Sequence, residues 1–222
     1  MRNIFNLFKQ NKKTSTANYI RPKDLHKFST PQPIEDIEIP MDDKPNILFM
    51  DDNFGIIELV KEDISMLSVI MSNRRPSGER YEVLYNSLSD KEKDFLTTFK
   101  ISNYNFIFST TNTCGMSVEK AIYNGLRVDM ALLDIILGGV SITEEGSARI
   151  VDGIDIAYVL KQHNPNIVYK MYTACTLAEY SSEAIKYKQL FNHSISDDVI
   201  YKDSNLLLRR KEILKMLMGL KR

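Results

Sequence analysis

The sequence predicts an α/β domain built on an open parallel β-sheet. From residue 46 onward, short apolar runs alternate with longer stretches whose apolar residues recur at helical spacing, and this alternation is typical of parallel sheets. Four of the apolar runs end in polar residues that can carry chemistry: Met50-Asp51-Asp52, Leu133-Asp134, Tyr172-Thr173 and Tyr201-Lys202. Because parallel strands end side by side at one edge of a sheet, these residues are expected to meet in one cleft.

The composition is that of an ordinary globular protein. The 222 residues suffice for one sizeable domain with appendages. Lys+Arg and Asp+Glu both total 29, and this balance disfavours broad binding of nucleic acid. Cys114 and Cys175 form no CxxC motif and no disulfide framework, so we expect a cytoplasmic location. No apolar run approaches the roughly 20 residues that a transmembrane segment needs.

Residues 1–44 are predicted to form a flexible N-terminal arm. They show little periodicity, are interrupted by four prolines (Pro22, Pro31, Pro33 and Pro40), and change from a basic to an acidic half. The domain itself is expected to span residues 45–222.

The first strand is predicted at 46–50 and the first helix at 54–71, where apolar residues recur on one helical face. Residues 72–79 favour a loop. A charged helical stretch is predicted at about 80–100, where Ser89 and Glu92 have the spacing of a capping box.

The remaining elements continue the alternation of strand and helix. We predict strands at 104–109, 128–133, 167–172 and 198–201, and helices at 115–124, 153–163, 177–190 and from 204 to the end. Gly125 is expected to end the helix at 115–124, and a loop is expected between Gly138 and Asp152. In the last helix the basic residues, Arg209 and Arg210 among them, are expected on a solvated face.

Asp51, Asp52 and Asp134 form a candidate site for a divalent cation. Carboxylates that lie close together repel unless a cation sits between them. Mg²⁺ prefers oxygen ligands and is usually held by one or two carboxylates and a phosphate. The plainer alternative for Asp134 is that it caps the loop that follows, and for this residue alone the two interpretations are equally supported.

Thr173 and Lys202 complete a set of residues suited to phosphoryl transfer. A carboxylate can accept a phosphoryl group as an acyl phosphate, and the transfer depends on alignment and on neutralising charge. Lys202 offers a compact positive charge and Thr173 offers a hydroxyl. Taken singly, a strand-ending threonine and a solvated lysine are ordinary; their order along successive strand ends favours a site.

This ordered set resembles the receiver domain of two-component response regulators, the CheY-like domain. The resemblance covers about residues 45–220. It rests on ILFMDDN at 47–53, ALLDIILGG at 131–139, DG at 152–153, YTA at 172–174 and YKDSN at 201–205. It implies a flavodoxin-like, doubly wound sheet of five parallel strands in the order 2-1-3-4-5.

The resemblance also implies a role for each site residue. Asp134 would be the phosphoacceptor. Asp51, Asp52, Asp134 and the backbone carbonyl of Ile136 would hold Mg²⁺. Thr173 would be the switching hydroxyl, and Lys202 would pair with the acceptor or with the phosphoryl oxygens.

The implied partners are a histidine kinase or a histidine phosphotransfer protein, followed by a downstream protein target that is contacted directly. The resemblance also allows a homodimer. The implied activity is at most self-catalysed phosphotransfer with slow autodephosphorylation, because Ile136 and Cys175 stand where receivers flank the attacking water, and neither can orient it.

The sequence departs from the family pattern at several points. Insertions are expected at about 72–103 and 140–151. Gly138 and Asp203 stand where the family usually has proline, and Val199 stands where it often has an aromatic switch residue.

Two other functions remain open from the sequence. A pseudo-receiver would keep the same fold and acidic residues as a structural or interaction module. A haloacid-dehalogenase-like phosphatase would need Asp-x-Asp after the first strand, whereas this chain has Asp51-Asp52-Asn53.

Overall fold

The computed structural model describes residues 34–70, 79–111, 113–137, 141–142, 148–149, 151–174, 177, 181–202 and 206–220. Most of the N-terminal arm, Gly138, Cys175 and Asp203 lie outside these residues, so the predictions made for them stay predictions. Within the described residues, the chain forms one five-stranded parallel sheet and a separate two-stranded antiparallel pair.

The five parallel strands follow the predicted order along the chain. They are β1 (Asn46–Met50), β2 (Asn105–Ser109), β3 (Met130–Asp134), β6 (Val168–Thr173) and β7 (Val199–Tyr201). Their order across the sheet is β2-β1-β3-β6-β7, which is the order 2-1-3-4-5 of a flavodoxin-like sheet. The fold class predicted from the sequence is therefore confirmed.

Seven helices accompany the sheet in the described part of the chain. They are α1 (Phe54–Ile70), α2 (Glu79–Ser87), α3 (Asp90–Thr98), α4 (Cys114–Tyr123), α5 (Gly153–His163), α6 (Ser182–Phe191) and α7 (Leu206–Gly219). Two short 3₁₀ helices lie at Ile101–Asn103 and Ile195–Asp198. Gly125 ends α4 as predicted: its φ of 103° lies in the left-handed region that glycine adopts without strain.

The sheet is covered on both faces, since successive residues of a strand point to opposite sides. In β1, Leu48 and Met50 join a core shared with α4, α5 and α6. Ile47 and Phe49 join a second core, which contains buried residues of α1, α2, α3 and α7. Burial on both faces explains why this strand is a continuous apolar run rather than an alternating one.

The stretch predicted as one charged helix forms two helices, α2 and α3. The break falls at Leu88 and Ser89, where Ser89 caps α3: its backbone N–H donates to Glu92 Oε2 at 2.7 Å, and its hydroxyl accepts from the Glu92 N–H at 3.3 Å. Both inserted helices contact α1, and α3 also contacts α7. The insertion therefore adds a layer over the α1 and α7 face of the sheet.

The loop predicted between β3 and α5 contains a short antiparallel pair. Strands β4 (Ser141–Ile142) and β5 (Ala148–Arg149) pair with each other apart from the main sheet. Other differences are small: β3 and β6 each include the polar residue that was expected just after them, and α6 begins at Ser182 rather than at 177.

The prediction that Arg209 and Arg210 lie on a solvated face is wrong. Both side chains are buried, and their Nε atoms donate to the two carboxylate oxygens of Asp63 on α1 at 2.6 and 2.7 Å. Helices α1 and α3 pack against α7, so this part of α7 is removed from water. A buried carboxylate between the two guanidinium groups offsets the cost of burying them.

Among the described residues, every helix is too short or too polar to cross a lipid bilayer.

Candidate functional site

The carboxyl ends of β1 and β3 bring three carboxylates together. Met50 and Leu133 are paired in adjacent parallel strands, so Asp51 and Asp134, which follow them, lie at the same level of the sheet. Each of Asp51, Asp52 and Asp134 offers an oxygen, and these oxygens all lie within 4.8 Å of one another. The sequence prediction that these three residues converge agrees with this geometry.

Asp51 is buried at the site and is fixed by hydrogen bonds. Its side chain is buried, and Oδ1 accepts a hydrogen bond of 2.9 Å from the backbone N–H of Asn53. Its own N–H donates to the carbonyl of Ser109 at the end of β2. Burial raises the pKa of the Asp51 carboxyl despite the neighbouring Lys202 ammonium, because the charged form loses its hydration.

Lys202 follows β7 and points its ammonium between two of the acids. Nζ lies 2.7 Å from Asp51 Oδ2 and 2.8 Å from Asp134 Oδ2, and only 11% of the side chain is exposed. Burial by itself would lower the pKa of this lysine, but its hydrogen bonds and charge interactions with Asp134 and Asp51 raise the pKa above the ordinary value. Lys202 is therefore a fixed positive charge inside the site.

Asp134 is the last residue of β3 and is buried. Its environment raises the pKa of the carboxyl to about 6, mainly through loss of hydration, while Lys202 opposes that rise. Among the described residues, Oδ1 accepts a long hydrogen bond of 3.4 Å from the backbone N–H of Ile136. One oxygen of Asp134 is thus paired with Lys202 and the other is held loosely.

Thr173 is the last residue of β6 and lies at the same edge of the sheet. Its neighbour Tyr172 is paired with Asp134 across the sheet, and Thr173 itself is paired with Tyr201 and buried. The Thr173 carbonyl accepts a 2.8 Å hydrogen bond from the Lys202 N–H, which fixes the start of the turn that carries the lysine. Thr173 and Lys202 are therefore positioned together.

Ile136 and Val199 complete the positions singled out from the sequence. Ile136 follows β3 with a half-exposed side chain, and its backbone lies next to the Asp134 carboxylate. Val199 begins β7 and packs against the core on the α4, α5 and α6 side.

The acidic cluster suits a hard divalent cation. The three carboxylates supply oxygen ligands, as Mg²⁺ prefers. Asp51 Oδ2 is buried and, apart from the ion contact with Lys202, has no hydrogen bond of good geometry within the described residues. That oxygen keeps a lone pair for a cation, so the residues present fit the metal that the sequence resemblance implies.

The sequence indicated the DG pair at 152–153 but did not predict its contact with Asp134 or the role of Lys186. Gly153, the first residue of α5, lies so close to the Asp134 backbone that a Cβ atom would be 1.9 Å from its carbonyl oxygen. Asp152, Asp155 and Lys186 form an ion cluster beside this contact. The DG pair at 152–153 was a usable sequence signal, whereas nothing in the sequence around Lys186 marks it.

No protein-family model and no curated protein matches the chain. Solved structures do match it. Several are receiver domains of response regulators. The BeF3-activated DrrB receiver domain has a TM-score of 0.44 at 13% identity, covering 79% of this chain and 98% of that one. A response regulator receiver protein from Sinorhizobium medicae WSM419 has a TM-score of 0.43 at 14% identity, covering 81% of this chain and 98% of that one.

A response regulator from Thermotoga maritima has a TM-score of 0.41 at 12% identity, covering 79% of this chain and 98% of that one. At these identities the similarity is one of fold. The chemistry of the site rests on the residues described above.

Proposed function

We propose that this chain is a phosphoacceptor receiver of a two-component or phosphorelay system, phosphorylated on Asp134 with Mg²⁺. The observation that carries the proposal is the Lys202 ammonium, which lies 2.7 Å from Asp51 and 2.8 Å from Asp134 at the edge of the sheet. The buried ammonium is placed to contact the oxygens of a phosphoryl group on Asp134, and a divalent cation among the three carboxylates would offset their excess negative charge.

Asp134 is the better nucleophile of the two buried acids. Asp51 Oδ1 accepts a hydrogen bond of 2.9 Å, whereas the contact that Asp134 Oδ1 accepts within the described part of the chain, from Ile136, is longer at 3.4 Å. A weakly held carboxylate oxygen keeps more of its electron density for attack on phosphorus. Asp134 is therefore assigned as the acceptor, and Asp51 as a charge that holds the metal.

In the proposed step, an Asp134 oxygen forms a bond to the phosphorus of a phosphohistidine. The bond from phosphorus to the donor nitrogen breaks, and the electron pair leaves with the imidazole. The Lys202 ammonium balances charge on the phosphoryl group, and the Thr173 hydroxyl donates a hydrogen bond to one of its oxygens. Asp51, Asp52, Asp134 and the Ile136 carbonyl would hold Mg²⁺, which would supply the remaining charge neutralisation.

The proposed partners follow from this chemistry. The donor is a histidine kinase or a histidine phosphotransfer protein, and the output is contact with a further protein, in the cytoplasm. Neutral net charge agrees with a partner other than nucleic acid. Turnover of phosphate is limited to slow hydrolysis of the chain's own acyl phosphate.

Intact-mass analysis after incubation with acetyl phosphate tests the proposal. We expect the mass of one phosphoryl group to be added with Mg²⁺ and not after chelation. Asp134→Asn should abolish the addition, while Asp94→Asn, at an exposed position on α3, should leave it unchanged.

Retention of labelling in the Asp134→Asn variant would contradict the assignment. A chain that binds Mg²⁺ but is never labelled would instead be a structural or interaction module. Steady turnover of p-nitrophenyl phosphate would indicate a phosphatase.

A further inference from the structure

The N-terminal turn of α5 is packed directly against the backbone of Asp134. The Gly153 N–H donates to the carbonyl of Ile135 at 3.3 Å. A Cβ at this position would meet the carbonyl oxygen of Asp134 at 1.9 Å and its carbonyl carbon at 2.8 Å. Since there is no free space between them, any shift of this turn displaces the chain that carries Asp134.

A capping box made of two aspartates fixes the same turn. Asp152 Oδ1 accepts from the Asp155 N–H at 2.9 Å, and Asp155 Oδ2 accepts from the Asp152 N–H at 3.3 Å. This arrangement satisfies two backbone N–H groups at the start of α5. It also places two carboxylates side by side in a half-buried position, where they repel each other.

Lys186 of α6 is the cation that offsets this repulsion. Its Nζ lies 2.7 Å from Asp152 Oδ2 and 2.8 Å from Asp155 Oδ1. The pKa of Asp152 is raised mainly by burial and next by the charge of Asp155. The two carboxylates of the capping box therefore depend on a nearby positive charge. The pKa of Lys186 is raised by the same two carboxylates despite its burial, so the lysine stays charged.

These contacts form a continuous path from α6 to the acceptor. Lys186 holds both carboxylates of the capping box, Asp152 precedes Gly153 in the chain, and Gly153 supports the backbone of Asp134. We infer that Lys186 is a positioning residue that holds the Asp134 loop through the N-terminal turn of α5. The inference rests on the proposed function only where it concerns the rate at which Asp134 accepts a phosphoryl group.

The test compares three variants of the full chain. Lys186→Met removes the charge and keeps an unbranched side chain, Lys186→Arg keeps the charge, and Lys188→Met changes an exposed lysine of the same helix as a matched control. The first measurement is amide hydrogen exchange of Ile135, Ile136 and Leu137. Exchange in the buried strand β1 serves as the reference for global unfolding.

We expect Lys186→Met to speed exchange of the three loop amides about fivefold to tenfold relative to β1. Initial labelling of Asp134 by acetyl phosphate should slow by about the same factor. Lys186→Arg should retain at least about half of the wild-type rate, and Lys188→Met should match the wild type in both measurements.

A double variant separates charge from packing. Asp155→Asn keeps an oxygen for the capping box while removing one negative charge. If the role of Lys186 is to offset repulsion, adding Asp155→Asn to Lys186→Met should recover part of the lost protection and rate. If Lys186→Met does not fold, amide exchange and the labelling rate are measured on the double variant and on Lys186→Arg instead.

Wild-type exchange of residues 135–137 in a folded Lys186→Met variant would overturn the inference. So would equal effects of Lys186→Met and Lys188→Met. A wild-type chain that acetyl phosphate never labels would instead contradict the proposed function. The exchange measurement would still decide whether Lys186 holds the Asp134 loop.

Discussion

Gly153 touches the backbone of Asp134 with no room for a side chain, because a Cβ would lie 1.9 Å from the Asp134 carbonyl oxygen. Gly153→Ala must therefore displace either the end of β3 or the first turn of α5. We expect a loss of about 3 kcal/mol in the free energy of unfolding, measured by urea denaturation.

Gly219→Ala is the matched control for that experiment. A Cβ on Gly219 would meet Val168 at 3.6 Å, which is ordinary van der Waals contact, and φ of this glycine is not positive. Its effect should be neutral or stabilising by less than about 1 kcal/mol. Equal destabilisation by the two substitutions would show that the close contact between Gly153 and Asp134 does not cause the loss of stability.

Asp134 is destabilising in its charged form, and this makes stability depend on pH. Its pKa of about 6 in the folded chain exceeds the ordinary 3.8, so the folded state binds more protons between these values. Stability should therefore fall as pH rises through about 6, by at most roughly 3 kcal/mol from this group.

Asp134→Asn tests that sign, because it removes the titrating group. The variant should be more stable than the wild type by about 1–2 kcal/mol near neutral pH without Mg²⁺, and the difference should vanish toward about pH 4. Thermal unfolding at several pH values measures it. A variant that is less stable than the wild type at neutral pH would contradict the expected sign.

Asp63 is the carboxylate that both buried guanidinium groups contact. It is 1% exposed, and its oxygens accept from Arg209 and Arg210 at 2.6 and 2.7 Å. Asp63→Asn leaves those charges buried without a counter-charge, so we expect a loss of about 3–5 kcal/mol in urea denaturation.

The ion pair of Glu58 and Lys61 on the same helix provides the comparison. Its side chains are 46% and 40% exposed, so water already screens the pair. Glu58→Gln should change the free energy of unfolding by less than about 1 kcal/mol. Similar losses for Asp63→Asn and Glu58→Gln would mean that burial does not decide the strength of these pairs.

We expect Ile136 to control the lifetime of the proposed acyl phosphate. Its half-exposed side chain next to Asp134 offers no group that orients an attacking water. Ile136→Asn should therefore speed loss of phosphate about tenfold, because an amide can position that water. A phosphate-release assay after removal of the donor measures the rate, with Ile136→Leu as the control that should leave it unchanged.

The sequence determined the elements whose cause is local. Apolar runs with polar ends gave the strands and placed Asp51, Asp134 and Lys202 at one edge of the sheet, because parallel strands share that edge. The capping box at Ser89 and the helix end at Gly125 could be predicted for the same reason: each depends on residues a few positions away.

Only the tertiary structure decided that Lys186, Arg209 and Arg210 are partly or fully buried against carboxylates. Lys186 reaches Asp152 across 34 positions, and Arg209 reaches Asp63 across 146. Helical spacing shows where a basic residue lies around its own helix but not what packs over that helix. The charge partners of Lys186, Arg209 and Arg210 were set by the packing of α5 against α6 and of α1 and α3 against α7, which brings charged groups together out of water.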